Sequence, residues 1–245
     1  MHMEDAMFTD MHAHFLPAVD DGASSQNEAL AMLRSAAACG TDAIVATPHL
    51  FHPERSEPGL TVTQIKAVYR TIKQRAAAEH LDIRLYLGAE VFLFADSVKQ
   101  VLNGDILTLN GTRNLLVEFD FDERSGSILQ YAQQLLTAGY TPVIAHAERY
   151  TAIKRDAELA EELSDLGCMI QVNKGSIFGD FGHAAMETAF ELLERECADV
   201  VASDAHDVKR RAPDLGKAYL KLSDVCDAAY LTELFRQNPN RLLTK

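Results

Sequence analysis

Histidines and carboxylates recur along this chain at one kind of place, the end of a short apolar run. MFTDMHAH delivers His12 and His14, DAIVATPH delivers His49, and IRLYLGAE delivers Glu90. NLLVEF carries Glu118, TPVIAH ends in His146, and ADVVASDAH ends in Asp204 and His206. Asp21 belongs to the Asp20-Asp21-Gly22 turn after the first run. Imidazole and carboxylate without thiolate form a donor set suited to zinc, manganese or iron(II). A carboxylate at the end of an apolar run is costly to bury without a cation or a hydrogen-bonded partner, so Glu90 and Glu118 are the sharpest signals. Glutamate can also bridge two cations, which suits a multinuclear centre. Such a centre lowers the pKa of bound water and orients a phosphoryl group for in-line attack.

The spacings add geometry. His12-Ala13-His14 and Asp204-Ala205-His206 are i, i+2 pairs, which point to one face of a strand. Pro48 ends a hydrogen-bond ladder and stiffens the loop presenting His49. Arg149 lies three residues beyond His146, and Lys209-Arg210-Arg211 lies just past His206. Arginine grips phosphate through a planar fork, so Arg149 and Arg211 are the candidate phosphate ligands. His2, His52, His80 and His183 fall in the terminal tail, loops or helices and are expected to be solvated or supporting residues.

These residues need elements to bring them together. Apolar runs of this length read as buried parallel strands, at about 7–13, 43–48, 83–89, 114–119, 141–146, 168–175 and 198–203. Helices intervene. The first runs from a cap at Ser24 or Ser25 to a stop at Gly40. The next, over 61–80, has apolar positions at Ile65, Val68, Tyr69 and Ile72. Further helices are expected at 95–102, 127–139, 156–166, 183–196, 214–222 and 227–237. The alternation implies parallel connections, in an open doubly wound sheet or a closed barrel. An open sheet concentrates its site at a switch point, whereas six contributing strands converge most simply in a barrel. The expectation is one α/β domain over 1–245, a distorted seven-stranded β/α barrel. Loops 50–62 and 174–183 are expected to shape specificity.

A net charge of −13 argues against a nucleic-acid-binding surface. No apolar stretch approaches the roughly 18 residues of a membrane span. The start, MHMEDAMFTD, lacks a signal peptide's basic segment and apolar core, so a cytoplasmic protein is expected. Cys39, Cys168, Cys197 and Cys226 form no Cys-x-x-Cys pair and read as small buried hydrophobes. None is followed six residues later by arginine; Cys168 meets Lys174 there. A phosphatase built on this chain would therefore not use a thiolate nucleophile.

The segments DMHAHFLPAVDDG, VATPH, LGAEV, VEF, TPVIAHAERY, GCMIQVN, ASDAH and NPNRLL resemble the polymerase and histidinol phosphatase (PHP) superfamily. VDDG, AHAERY and NPNRLL resemble, more narrowly, the bacterial manganese-dependent tyrosine-protein phosphatases of capsule and exopolysaccharide gene clusters. That resemblance implies a PHP-type barrel holding three divalent ions, first Mn2+, with Zn2+ or Fe2+ as alternatives. By motif match, one ion would take His12, His14, Glu90 and Asp204. A second would share Glu90 and add Glu118 and His146, and a third would use Asp21, His49 and His206. Arg149 and Arg211 match the family's phosphate-binding arginines. The chain has Arg210-Arg211-Ala212-Pro213 where the family often has Gly-Arg-Pro-Pro, which leaves Arg210 as an alternative. Asp207 stands where the family has asparagine. The implied activity is hydrolysis of phosphotyrosine on a protein, the usual partner being a tyrosine kinase that controls polysaccharide export. A metal-activated hydroxide would attack, and His49 or His206 would assist the leaving phenolate. A small-molecule phosphatase such as a histidinol-phosphate hydrolase is the nearest alternative, and a nonenzymatic regulatory PHP module is a third.

Overall fold

The apolar runs form strands that pair only in parallel, with helices packed against them. The computed structural model describes residues 7–55, 60–104 and 106–245; His2 and part of the 50–62 loop lie outside these. Strands and helices follow in the order β1 (Phe8–Ala13), α1 (Gln26–Ala38), β2 (Thr41–Ala46), β3 (His49–Leu50), α2 (Val62–Ala78), β4 (Arg84–Leu87), β5 (Glu90–Phe92), α3 (Ala95–Leu102), β6 (Asn114–Glu118) and α4 (Ser125–Thr137). Then come β7 (Thr141–Ile144), α5 (Thr151–Arg155), α6 (Glu158–Asp165), β8 (Met169–Asn173), α7 (Lys174–Ile177), α8 (His183–Glu194), β9 (Val200–Ala202), α9 (Leu215–Leu222), α10 (Ala228–Thr232) and α11 (Asn238–Leu243).

Two expected strands are each broken in two. The run at 43–48 becomes β2 and β3, interrupted at Thr47-Pro48, and the run at 83–89 becomes β4 and β5, interrupted at Gly88-Ala89. Proline cannot donate to a ladder, but its carbonyl accepts from Glu90 N–H at 3.1 Å. Gly88 passes so close to Leu109 that a Cβ would lie 2.9 Å from that side chain. His49 and Glu90 therefore do not follow their strands; each opens a strand's second segment. Direct register pairing of β3 with β5 then sets His49 beside Glu90.

The segments form a three-stranded sheet, β1-β2-β4, and a six-stranded sheet, β3-β5-β6-β7-β8-β9. The first and last strands also meet. Ala13 bridges Ala205, Asp204 N–H donates to His12 O at 2.8 Å, and His14 N–H donates to Ala205 O at 2.8 Å. A large apolar core, including Phe15, Leu30, Leu33, Ile72, Leu135 and Leu192, lies where strands face helices. A second buried cluster joins Met11, Val45, Leu116, Val143, Val200 and Ala202, taken from strands alone, to Leu109, Leu242 and Leu243.

The chain's end is expected to be one helix over 227–237. It instead passes from α10 through a π-helical turn at Glu233–Gln237 into α11, with Pro239 in its first turn. The wider turn absorbs a residue with no N–H to give. NPNRLL is anchored structurally: Leu242 O accepts from Asn114 Nδ2 at 2.7 Å, and Thr9 Oγ1 donates to Asn240 Oδ1 at 3.2 Å.

The loop from β1 to α1 depends on Gly22. A Cβ there would sit 1.9 Å from His14 O, while Ala23 N–H donates to that same oxygen at 3.0 Å. Gly22→Ala is expected to lower unfolding free energy by at least about 2 kcal/mol through overpacking. Gly126→Ala, in the first turn of α4 with nothing within 4 Å of the added carbon, should raise it by about 0.5–1 kcal/mol. Urea denaturation of both variants checks the contrast; equal midpoints would refute it.

Candidate metal centre

His12 lies on β1 and His14 just past its end, and their Nε2 atoms stand 3.0 Å apart. The proton positions follow from what lies behind each ring. Gln171 Oε1 accepts from the backbone N–H of His146 at 3.1 Å, which fixes that amide atom as oxygen. The same oxygen lies 3.0 Å from His12 Nδ1, so that nitrogen carries the ring proton. Asp20 Oδ2 holds the proton of His14 Nδ1 in the same way, at 2.7 Å. Both Nε2 lone pairs then face one point, where they repel unless a cation lies between them. Around it stand Glu90 Oε2, at 3.2 Å and 3.3 Å from the two nitrogens, and Asp204 Oδ1, 3.5 Å from each.

The donors continue without a gap. Glu90 Oε1 is 2.8 Å from His146 Nε2, and Glu90 Oε2 is 3.0 Å from His49 Nδ1. That His49 nitrogen is also 3.2 Å from Glu118 Oε2, while His49 Nε2 is 3.5 Å from Asp21 Oδ1. Asp21 Oδ1 is 3.3 Å from His206 Nε2, and His206 Nδ1 donates to Asp204 O at 3.0 Å. The structure thus brings all nine sequence-derived donors into one cluster, eight of them buried and Asp21 at its exposed edge. Among the described residues, three sets have ligand atoms within 4.8 Å of one another: His12, His14 and Glu90; His14, Asp21, His49 and His206; and His49, Glu90 and Glu118. The resemblance groups His146 with Glu90 and Glu118. Here His49 is the imidazole close to both carboxylates, and His146 reaches Glu90 alone.

The cluster suits cations better than it suits itself. His49 Nδ1 and Nε2, Glu118 Oε2 and His206 Nε2 are buried without a hydrogen-bond partner, which native interiors rarely tolerate. Burial opposes charge on Glu90, but the imidazoles of His12 and His49 hold its carboxyl well below the usual range. Burial likewise opposes charge on Asp204, and Arg211 and His12 overcome it. Burial together with the Glu90 charge pushes Glu118 up to about 7. Burial would depress His12 and His49, yet the adjoining carboxylates, Glu90 first, raise them to about 9 and about 11. His146, more desolvated than compensated, falls to about 4. The carboxylates that hold protons on these rings would hold a divalent ion instead, since metal and proton compete for imidazole.

Two candidate ligand residues have left-handed backbones, His146 at φ 37° and Asp204 at φ 51°. Each costs about 1–3 kcal/mol in a non-glycine residue. The Gln171 bond to His146 N–H and the His12 bond to Asp204 N–H hold them there.

Some site residues are missing from the sequence reading. Asp20 and Gln171 set the ring protons, and Asn173 Nδ2 donates to Asp204 Oδ2 at 2.6 Å. Gln171 and Asn173 leave a faint trace as polar residues within the apolar run CMIQVN. Nothing in the sequence ranks Asp20 behind Asp21. Arg55 Nη1 is 3.4 Å from Glu118 Oε1, and His52 Nε2 is 3.5 Å from the same oxygen. Burial and the neighbouring His49 lower His52 to about 4. His183 instead pairs with Glu187 on an exposed helix face, at 3.0 Å.

Both expected arginines reach the cluster. Arg211 Nη2 pairs closely with Asp204 Oδ2, and Arg149 Nη1 lies 3.8 Å from the same oxygen. Arg210 is exposed. Asp207 accepts the backbone N–H groups of Lys209 and Arg210, at 2.5 Å and 2.7 Å. The carboxylate standing in place of the family's asparagine therefore shapes the turn that presents Arg211.

The chain is similar to known phosphatases. Over 243 residues, 96% of this chain and 97% of the relative, the sequence is 30% identical to the tyrosine-protein phosphatase CpsB of Streptococcus pneumoniae. It is 33% identical to the tyrosine-protein phosphatase YwqE of Bacillus subtilis over 207 residues, 82% of this chain and 78% of that one. The fold is similar, with a TM-score of 0.86 and 30% identity over 96% of this chain and 94% of the other, to a crystal structure from work on YwqE and CpsB, described there as unique metal-dependent tyrosine phosphatases. Residues 8–244 match the family described as capsular polysaccharide synthesis, CpsB/CapC, and the chain belongs to that family.

Proposed function

We propose that this chain is a divalent-metal-dependent phosphatase acting on phosphotyrosine in a protein, a bacterial tyrosine kinase that regulates capsular or extracellular polysaccharide synthesis. The observation that carries this reading is the meeting of Arg149 and Arg211 on Asp204, itself part of the buried imidazole–carboxylate cluster. Cationic forks that bind phosphate thus stand beside donors that bind divalent ions. The side chains of Arg55 and Arg211 are 32% and 30% exposed, so the phosphate end of the site opens at the surface, within reach of a tyrosine on another protein. The relatives named as tyrosine-protein phosphatases supply the substrate class.

The two sheets read together as one distorted barrel of seven strand positions within a single domain over 1–245. Two positions are broken, and the Ala13–Ala205 bridge closes the ring. The buried cluster around Met11 and Val143, drawn mainly from strands, supports this, as the filled interior of such a barrel.

His12, His14, Glu90 and Asp204 would hold one ion; Glu90 and Glu118, with His146 or His49, a second; Asp21, His49 and His206 a third. Mn2+ is the first choice, with Zn2+ or Fe2+ as alternatives. Ions bound there would supply an activated water at neutral pH and neutralise charge on phosphoryl oxygens. Arg149 and Arg211 orient the phosphoryl group by donating to its oxygens. Asp204 holds the Arg211 guanidinium in place. His49 has carboxylates against both nitrogens, and His206 spends Nδ1 on a backbone carbonyl. We therefore assign both to the metal rather than to proton transfer. A phenolate, with a pKa of about 10, can leave and take its proton from solvent. Among the described residues no helix is long and apolar enough to cross a membrane. All four cysteines are free thiols, which supports action in the reducing cytoplasm.

Chelation should abolish hydrolysis of a phosphotyrosine peptide, and added Mn2+ should restore it. Glu90→Gln should cut kcat/KM by at least ~100-fold and lower the bound metal, since ligand-shell losses are of that order. Activity that survives chelation would overturn the metal mechanism. Plasma emission on the purified protein gives the metal count.

Burial raises the thiols of Cys168 and Cys197 to about 12 and about 11, and those of Cys39 and Cys226 also rise, through burial first. A thiol held neutral is a poor nucleophile. N-ethylmaleimide should leave initial rates within about twofold at pH 7; thiol-dependent inactivation protected by phosphate would contradict this.

Substrate class is tested by kcat/KM on a phosphotyrosine peptide against histidinol phosphate. Preference for the peptide by at least ~10-fold, or about 1.4 kcal/mol in transition-state binding, is expected. The reverse preference would make this a small-molecule phosphatase, and no phosphate release in a single-turnover assay would make it a nonenzymatic module.

A further inference from the structure

The chain from the end of β8 through Phe181 supplies no metal-ligand candidate, yet it contacts both the turn carrying Arg149 and the loop carrying Arg211. Asn173 N–H and Ser176 Oγ donate to the Glu148 carboxylate, at 3.2 Å and 2.6 Å, which ties the segment to the turn carrying Arg149. Lys174, buried, pairs with Asp214 and donates to Ala212 O, which ties it to the loop carrying Arg211. Phe181 then lies against the arginines themselves. Its ring centroid is 4.1 Å from Arg149 Cζ and 5.7 Å from Arg211 Cζ. Phe121 covers Arg149 as well, at 4.3 Å.

Phe181 is seated deliberately. Gly179 and Gly182 bracket it at φ 81° and 93°, conformations that glycine adopts without strain. Asp180 N–H donates to Gly175 O at 3.0 Å and closes the turn. A Cβ on Gly175 would lie 2.6 Å from the Phe181 ring, so Gly175 leaves the hollow that the ring fills.

We infer that Phe181 is a positioning residue for phosphate binding: with Phe121 it fixes the Arg149 guanidinium between two rings, and it lies beside Arg211. This rests on the reading that Arg149 binds the substrate phosphate. A guanidinium stacks well on aromatic faces because it is planar and weakly hydrated. Stacking occupies its faces and leaves its N–H edge for an anion. It also restrains a collapse that is close at hand. Arg149 Nη1 is 3.8 Å from Asp204 Oδ2, the oxygen Arg211 already contacts, and an unrestrained Arg149 would settle there and turn its donors away from the phosphate.

The test uses the full chain, metal-loaded, with phosphotyrosine peptide as substrate and inorganic phosphate as inhibitor. Phe181→Leu is expected to raise the phosphate inhibition constant and to lower kcat/KM, each by about 3- to 20-fold, in line with an aromatic–cation contact. Bound metal should be unchanged. Phe181→Tyr should restore both parameters to within about twofold, because it keeps the ring face. In an Arg149→Ala background, Phe181→Leu should add less than about twofold, since the two act as one unit. Phe121→Leu, the opposite ring, should give the same pattern, and stands in if Phe181→Leu does not fold. An unchanged inhibition constant in Phe181→Leu, where Arg149→Ala raises it, would overturn the inference alone. So would a Phe181→Leu effect of full size in the Arg149→Ala background. If Arg149→Ala itself leaves phosphate inhibition unchanged, the reading of Arg149 fails first.

Discussion

Everything at this site is arranged around one carboxylate held away from water among imidazoles. Glu90 is 1% exposed, and its two oxygens face His12, His14, His49 and His146. A buried carboxylate of this kind is strongly destabilising unless opposite charge surrounds it, at roughly 3–5 kcal/mol when a buried partner is lost. The break at Gly88-Ala89 begins a new strand segment at Glu90, and the break at Thr47-Pro48 begins one at His49. The two breaks put the carboxylate and its neighbouring ring in the same register of one sheet. Irregular strands, a cost in an ordinary sheet, here bring together ligands from adjacent strands.

The next layer decides which atoms of the rings are useful. Asp20 and Gln171 stand behind His14 and His12, and the backbone carbonyl of Asp204 stands behind His206; each occupies Nδ1 and leaves Nε2 directed inward. Partners of this type fix ring tautomer and orientation and raise ligand basicity. Gln171 serves two residues with one oxygen, since it also holds the left-handed His146 backbone. Gly22 matters for the same reason at a distance: without its missing Cβ, the turn could not fold against His14 and bring Asp20 to the ring.

What the sequence displays and what it hides follow a physical line. The candidate ligands other than Asp21, which sits in a turn, are legible because each is a charged or titratable side chain set against an apolar run, a pattern that only a metal or a dense ion-pair network makes tolerable. His12, Glu90, Glu118 and Asp204 could be picked out on that ground alone. The alternation of strands and helices is legible for the same reason, since period and length are local properties. The end of β2 at Pro48 is legible too, but the resumption at His49 and the break at Gly88-Ala89, where the glycine approaches Leu109, depend on contacts between distant segments. Asp20, Gln171, Asn173, Arg55 and His52 are hidden too. All but Asp20, whose partner His14 is six residues away, act through a partner far away in sequence, and an isolated Gln or Arg carries no mark of which atom it will face. The grouping of donors around individual ions is also nonlocal, as His49 shows by reaching both Glu90 and Glu118.

The cluster divides into two kinds of rigidity, and the division explains the loop after β8. Four of the candidate metal ligands, His12, His49, Glu90 and Glu118, gain their positions from strand register, which is stiff and shared by neighbours. Arginines at the rim have long side chains and no such register, so their placement must come from packing and charge. Asp204 belongs to both sets: Oδ1 faces the His12 and His14 nitrogens, while Oδ2 receives Asn173 and Arg211 with Arg149 close by. A single carboxylate thereby relates the metal end of the site to the phosphate end. Its backbone there is left-handed, and His12 O, on β1, accepts from its N–H and holds that backbone in place. The segment after β8, which contributes no metal-ligand candidate of its own, is then free to pack Asn173 on Asp204, Lys174 on the Arg211 loop and Phe181 on Arg149. The strand end that looks empty in the sequence is the one that aligns the other half of the chemistry.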